Sequence, residues 1–375
     1  MRTHKIEHAP MVRLGDLIEL CDERNSEGKY GIDDVRGMTI SKEIISTKAD
    51  IKDTDLSKFY IVYPNEFIYN PRTHGKKIGL GFNNSLKPIL ISWNNTAFKV
   101  KDIEKVEPTY LYMIFNREEW DREACYNSWG SSTVVFAWED LCNMKIPLPS
   151  IETQKELVAV YNGLKELAEE NEKLLEPLEE SCQVFIVDCK KKYPMKKLGD
   201  YIIENREKNT EGVYSKVMGL STQKQFREPN SRVNKDELHG YKITENNSFA
   251  FVPTTDTWKV FACALNKGET IVVSPIYCVF KLVNEETFLA DFLSIYFKRK
   301  EFDRYVRFNS WGSARENFNF DDLCDVKIPV PPLEIQQKIV DLYNCYEECK
   351  RISEIAREKI KNLCPALVQK AAHSN

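Results

Sequence analysis

The chain lacks most of the features that announce a membrane protein, a disulfide scaffold or an enzyme. Its 375 residues contain no run of 18 or more uninterrupted apolar residues, so no membrane-spanning helix is expected. The first residues, Met1-Arg2-Thr3-His4-Lys5-Ile6-Glu7-His8, have no apolar core of the kind a secretory signal carries. Eleven cysteines are an odd number, and no two stand in a Cys-x-x-Cys pair. This pattern points to reduced thiols in the cytoplasm rather than to a disulfide framework or a zinc site. Cys345 and Cys349, four apart in a helical pattern, are expected to be small packing residues. Five histidines show no ligand-like grouping, and no metal is expected. There is no Gly-x-x-x-x-Gly-Lys-Ser/Thr loop to cradle a nucleotide. Asn70-Pro71-Arg72-Thr73 lacks the second proline and the aromatic with which an amino-methyltransferase motif stacks a flipped base. Gly79-Leu80-Gly81 has no third glycine at cofactor-loop spacing. No catalytic residue is assigned. A net charge of −4, from 53 basic and 57 acidic side chains, excludes a general basic coat but allows a local basic face.

What the chain does have is an internal repeat. Val12-Arg13-Leu14-Gly15-Asp16 recurs as Lys196-Lys197-Leu198-Gly199-Asp200, and Asn25-Ser26-Glu27-Gly28 as Asn209-Thr210-Glu211-Gly212. Beyond these, a shift of 182 residues superimposes Phe67 on Phe249, Pro71 on Pro253, Thr73 on Thr255 and Lys77 on Lys259. The same shift carries Phe115, Arg117, Asp121 and Arg122 onto Phe297, Arg299, Asp303 and Arg304. Asn127-Ser128-Trp129-Gly130-Ser131 returns unchanged as Asn309-Ser310-Trp311-Gly312-Ser313. Asp140-Leu141-Cys142 and Lys145-Ile146-Pro147 return as Asp322-Leu323-Cys324 and Lys327-Ile328-Pro329. The chain is therefore two copies of one unit, each a mixed domain followed by a long helix. The expected division is 1–150, a helix over 151–195, a second domain over 196–332 and a second helix over 333–375.

Each domain reads as α+β. Phe59–Tyr63, Glu66–Tyr69, Ile89–Ser92 and Ala97–Val100 are short, apolar and bounded by Asn, Pro or Gly, as strands are. Ser248–Val252, Val260–Ala264, Thr270–Val273 and Tyr277–Leu282 repeat them. One helix is expected from Thr109 toward Ala124 and another from Phe288 toward Tyr305. The strands do not alternate with regular helices, so a doubly wound sheet is not expected.

After each Lys-Ile-Pro the apolar period becomes heptad. Leu157, Val160, Leu164, Leu167, Asn171, Leu174 and Leu178 form one seam. Ile335, Ile339, Leu342, Tyr346, Cys349, Ser353, Ala356, Ile360 and Leu363 form the other. Asn171 and Ser353, 182 apart, are either tolerated polar residues or register pins. Pro177 should kink or end the first helix, and Pro365 the second. Two such helices in one chain most simply pair antiparallel, with a pseudo-twofold that sets the domains at the ends of a rod of about 45–55 Å. Since one DNA turn is about 34–36 Å, this geometry suits two half-sites.

Ile146-Pro147-Leu148-Pro149-Ser150-Ile151-Glu152-Thr153-Gln154 and Ile328-Pro329-Val330-Pro331-Pro332-Leu333-Glu334-Ile335-Gln336, each opening a long helix, carry a family resemblance. Together with the repeat, they make the chain similar to the DNA-specificity subunit of Type I restriction-modification systems, over its whole length. The first copy departs only in Ser150-Ile151, where Pro-Leu is usual. The resemblance implies two target recognition domains that read the halves of a bipartite, asymmetric site in double-stranded DNA. It also implies that the helices are a spacer on which two methyltransferase subunits dock, joined by restriction and translocase subunits. Any S-adenosylmethionine, ATP and magnesium would then belong to those partners, with no cofactor in this chain.

The charge distribution limits where DNA can lie. Residues 151–195 carry 6 basic and 10 acidic side chains, so this helix should not rest on phosphates. Residues 1–150 carry 20 and 22, and 196–332 carry 20 and 19, so contact needs charge gathered on one face. Candidates are Arg72, Thr73, Lys76 and Lys77, beside His74, with Thr255 and Lys259 in the second copy. Ser128, Ser131, Ser310 and Ser313 could approach phosphate closely, and Arg315 differs from its counterpart Thr133, as a base reader would. Arg227 and Arg232 are further candidates. Trp129 and Trp311 are expected to plug the domain cores. Leu157, Leu164, Asn171, Ile339, Tyr346 and Ser353 mark the seam. Two other readings remain: the recognition part of a fused or Type II-like methyltransferase or nuclease, and a twin-domain protein-interaction scaffold.

Overall fold

In each copy the first strand pairs with the last, which closes the domain and delivers the chain into its long helix. The computed structural model describes residues 9–47, 50–74, 77–130, 134–229, 235–255, 260–310 and 316–373. Met11–Arg13 runs antiparallel to Lys145–Pro147, with Val12 opposite Ile146. Met195–Lys197 runs in the same way against Lys327–Pro329, with Lys196 opposite Ile328. The Leu-Gly-Asp turns follow directly, as the 3-10 segments Leu14–Asp16 and Leu198–Asp200. Their glycines are required by close approach. A Cβ on Gly15 would meet Cys142 Cβ at 2.9 Å, and one on Gly199 would meet Cys324 Cβ at 2.7 Å.

Each copy then builds a four-stranded antiparallel sheet of the same topology. In the first the order is Ile18–Cys21, Thr96–Val100, Phe67–His74, Lys77–Phe82; in the second it is Ile202–Glu204, Cys278–Leu282, Ser248–Phe251, Cys263–Leu265. Gly79 and Gly81 therefore lie in a strand and form no loop. A hairpin, Arg36–Met38 with Ile44–Ser46, packs beside the first sheet, and Gly219–Leu220 with Phe226–Arg227 is its counterpart. The helices are α1 (Pro108–Phe115), α2 (Glu118–Tyr126), α3 (Trp138–Asn143), α4 (Ile151–Lys192), α5 (Ala290–Lys298), α6 (Lys300–Phe308), α7 (Phe320–Cys324) and α8 (Leu333–His373). Antiparallel sheets with helices grouped after them make the α+β class. Where one helix per copy was expected there are two, because Arg117 and Arg299 take extended backbone (ψ 144° and 140°) and start a new helix.

Compact units do not follow the copies. One unit comprises residues 1–169 and 352–375, the other 170–351, so each takes a piece of both long helices. In the first unit Leu157 and Val158 of α4 share a core with Cys364, Val368 and Ala371 of α8, beneath Phe67, Phe98 and Phe115. In the second, Ile186 and Cys189 of α4 join Ile339 and Val340 of α8 beneath Phe249, Phe280 and Phe297. The apolar area thus buried is the main support of each helix, since a helix of this composition gains little from propensity alone.

Several sequence expectations are corrected. α4 continues through Pro177 for 42 residues and α8 through Pro365 for 41, so neither proline ends its helix. Pro177 is exposed, so the carbonyl that its missing N–H leaves faces solvent rather than a packed core. The α4 seam has the other phase. Leu157, Leu164, Asn171 and Leu178 face inward or half-inward as expected, but Tyr161, Ala168 and Leu175 stand between them. Val160, Leu167 and Leu174 are 44%, 43% and 50% exposed, while Ala168 is fully buried. Four-three and three-four spacing share every second residue, and apolar side chains stand on both flanks of α4. In α8, Ile339, Tyr346 and Ser353 are buried or half-buried, but Cys364 replaces the exposed Leu363 at the end. Cys345 is exposed and not a core residue; Cys349 is half-buried.

Candidate nucleic-acid interface

The strongest repeated geometry lies where the central strand of each sheet meets the segment after α2 or α6. Phe67–His74 breaks register between Tyr69 and Thr73, at Pro71 and Arg72. Proline cannot donate to the ladder, so the strand bends away there. Pro71 O accepts the Phe136 N–H at 2.7 Å, and Val135 bridges to both Arg72 and Trp129. In the second unit Pro253 O accepts from Phe318 N at 2.8 Å, and Thr254–Thr255 pairs with Glu316–Asn317.

The invariant Asn-Ser of the repeated loop is a helix terminator. Asn127 Nδ2 donates to Glu123 O (2.9 Å) and Ser128 Oγ to Ala124 O (2.7 Å). Asn309 Nδ2 and Ser310 Oγ do the same to Tyr305 O (2.8 Å) and Val306 O (2.6 Å). These bonds satisfy carbonyls that the helix end leaves open. A hydroxyl that gives its proton to a helix carbonyl has none for a phosphate oxygen, so Ser128 and the buried Ser310 act here as caps and not as free donors. Trp129 does not plug the core: it is 72% exposed. Tyr126 beside it is 82% exposed, and its counterpart Phe308 is 85% exposed. Arg72 and Lys77 are exposed on the adjoining strands. The first unit therefore gathers two cations and two outward aromatics around one strand end. Thr73 and Thr255 lie in strands, with side chains outside the described residues. Lys76, Ser131, Arg232, Lys259, Trp311, Ser313 and Arg315 also lie outside them. Arg227 is half-buried in the second hairpin and donates to Glu228 O.

Sequence reasoning missed the element that positions this end. Lys42, in the turn of the first hairpin, reaches Asp121 of α2 at 2.6 Å; Lys224, in the second, reaches Asp303 of α6 at 2.7 Å. The four side chains are 4%, 11%, 6% and 18% exposed. Both lysines adopt left-handed backbone (φ 64° and 59°) to turn inward. Burial holds both ammonium groups below the ordinary lysine range, against the carboxylate that raises them. Asp121 and Asp303 are visible as repeat-matched residues, and Lys42 and Lys224 are 182 apart as well; that spacing was the available signal.

The glutamine of the helix-opening motif also gains a physical reason. Gln154 is fully buried and donates to Lys105 O (3.1 Å) and Pro149 O (2.9 Å), while its oxygen accepts from Glu107 N (2.9 Å). Gln336 repeats this with Thr287 O (2.7 Å), Pro331 O (2.8 Å) and Leu289 N (2.9 Å). One side chain thus ties the start of the long helix to the start of the domain's first helix. Among the described residues no group of three or more His, Cys, Asp or Glu could hold a metal ion, and no helix is long and apolar enough to cross a membrane.

Two copies of one α+β module, with matched strand ends and matched helix connections, define a duplicated recognition protein. Residues 7–180 and 199–362 each match the Type I restriction modification DNA specificity domain, and the chain belongs to that family. Its fold is similar to the crystal structure of the Type I restriction-modification S subunit from M. genitalium. The two are 12% identical, with 100% of this chain and 98% of that one covered and a TM-score of 0.59. The HsdS subunit from Thermoanaerobacter tengcongensis is 15% identical over 99% of this chain and 98% of that one, with a TM-score of 0.42. A search of curated proteins finds no match. The chain is a DNA-sequence-specificity subunit.

Proposed function

We propose that the chain is non-catalytic and directs two methyltransferase subunits, and with them restriction and translocase subunits, to a bipartite asymmetric site in double-stranded DNA. The observation that carries this reading is the paired strand end. Each unit has a proline at the same place after its central strand and the same capped helix leading into the loop, while Arg72 and Tyr126 of the first are replaced by Thr254 and Phe308 in the second. Phosphate contacts by Arg72 and Lys77 position the duplex, and stacking by Tyr126 or Trp129 is available beside them. Near-neutral domains bind duplex weakly without partners, because phosphate neutralisation supplies most non-specific affinity. S-adenosylmethionine, ATP and magnesium act on the partner chains, and the complex works in the cytoplasm.

Partner docking is assigned to α4. Leu174, Val184, Phe185 and Val187 are 39–53% exposed, apolar side chains spread over the outer half of an otherwise acidic helix. Such side chains suit a partner subunit and not a polyanion. The test is methyl transfer to DNA by the purified chain, by the methyltransferase subunits and by both together. Transfer to a defined site is expected only from the combination. Incorporation by this chain alone would favour the fused-enzyme reading, and equal affinity for every duplex would favour the scaffold.

A further inference from the structure

The repeat supplies an internal control: what both copies keep is scaffold or contact common to both half-sites, and what they change at the surface is free to differ in purpose. In the first unit a groove of about 430 Å³, apolar in its walls and polar at one side, lies between the hairpin strand Arg36–Met38, the strand Phe67–His74 and the turn after Ile91. With Asp50 on the opposite side and Phe59 set edge-on to Trp93 at 5.6 Å, the polar side is lined by Arg36, Asn70, Trp93, Asn94 and Asn95. Their counterparts, 182 residues on, are Met218, Val252, Pro275, Ile276 and Tyr277. In the second unit Met218, Val252 and Tyr277 pack onto an apolar cluster with Leu220 and Ala250. One copy therefore carries amides and a guanidinium where the other carries apolar residues, three of them packed and one, Ile276 at the place of Asn94, 71% exposed. The scaffold around them is unchanged, including the buried Lys-Asp pair and the buried Gln.

The groove is ordered by its own hydrogen bonds. Arg36 Nη1 donates to Asp33 O (2.6 Å) and Val35 O (3.0 Å). Asn95 Nδ2 donates to Ser92 O and to Asn94 Oδ1, both at 3.0 Å, which orients the exposed Asn94 amide at the rim. Asn70 Oδ1 accepts the Arg72 N–H at 2.9 Å, so the groove and the cationic strand end share one turn of chain. Trp93 stands 51% exposed on the rim. A carboxamide held at a rim beside phosphate-binding cations is suited to adenine, whose N6 donor and N7 acceptor match it in the major groove.

Resting on the reading that the chain selects DNA, we infer that Asn70, Trp93 and Asn94 determine the bases read in the first half-site, with Asn94 reading an adenine. The second half-site is read without them. The experiment maps methylated motifs in cells carrying the full chain with its methyltransferase partners, comparing wild type with Asn94→Ala, Asn94→Ile and Asn70→Val. Relaxation at one position of one half-site, with about 5- to 150-fold less discrimination there and the other half-site intact, is expected. An unchanged motif in all three variants overturns the inference. So does a change confined to the other half-site, or loss of all methylation by a variant that melts like wild type. Asn94 is exposed, so Asn94→Ala decides the matter if Asn70→Val fails to fold. A motif that persists when the chain is deleted would instead overturn the proposed function itself.

Discussion

Replacing Lys42 by methionine removes one partner of the first buried ion pair and leaves Asp121 charged beneath the hairpin. At 2.6 Å and an effective dielectric near 20, the pair attracts by about 6 kcal/mol. Desolvating two ions costs several kcal/mol each, so the intact pair contributes little net stability. Breaking it is another matter, because the remaining charge keeps its desolvation cost and loses its partner. With side chains 4% and 11% exposed, solvent screening does not soften this. Lys42→Met and Asp121→Asn should each destabilise by about 3–5 kcal/mol. For a unit of this size that lowers Tm by about 6–20 °C. The double variant should fall short of the sum of the singles by about 2 kcal/mol, since each removes the other's penalty. Urea unfolding of the full chain, followed by tryptophan fluorescence, reads all three values. Simple additivity, or a single-variant cost below about 1 kcal/mol, would mean that the pair is no more coupled than a surface bridge and that the hairpin is held by something else.

Gln154→Ala strands one buried carbonyl and a part-buried carbonyl and N–H, and Gln336→Ala does the same in the second unit; each should cost about 2 kcal/mol in denaturant unfolding. A loss under 1 kcal/mol would show that the clip is not what anchors the long helices. Phe185→Asp, at a 53% exposed position of α4, should leave Tm within about 2 °C yet abolish co-purification with the methyltransferase subunits. Retained co-purification would move the docking surface elsewhere. Burial raises Glu107 above its ordinary value of 4.5, outweighing the Tyr110 N–H that it accepts at 2.7 Å. The folded state then binds this proton more tightly than the unfolded one, so stability falls as pH rises from 4.5 through the raised value. Relative to wild type, Glu107→Gln should flatten that slope between pH 4.5 and 7; a steeper slope would contradict the assignment.

The duplication made the fold legible, because every element inferred in one copy could be checked against the other. Leu-Gly-Asp, Lys-Ile-Pro and the Gln that follows mark the joints of each module, and the contacts of Gly15, Ile146 and Gln154 explain why those residues recur. What stayed hidden was side-chain direction. Lys42 looks like any lysine in a turn until the fold brings Asp121 beneath it. Trp129 looked like core because large aromatics usually are, yet it stands outward where cations gather. The α4 seam was misphased because Leu157 and Leu164 serve both phases, and only the burial of Ala168 chooses between them. At the candidate interface, Arg72 and Lys77 were legible as cations, whereas the caps made by Ser128 and Ser310 depend on where α2 and α6 stop.

The central claim is that two units of one chain each select their own bases. Sequencing methylated DNA from cells with and without this chain, its partner subunits present in both, tests that directly. The account predicts a motif found only with the chain, made of two different specified segments separated by a fixed unspecified gap. A single contiguous motif, or the same motif without the chain, would contradict it.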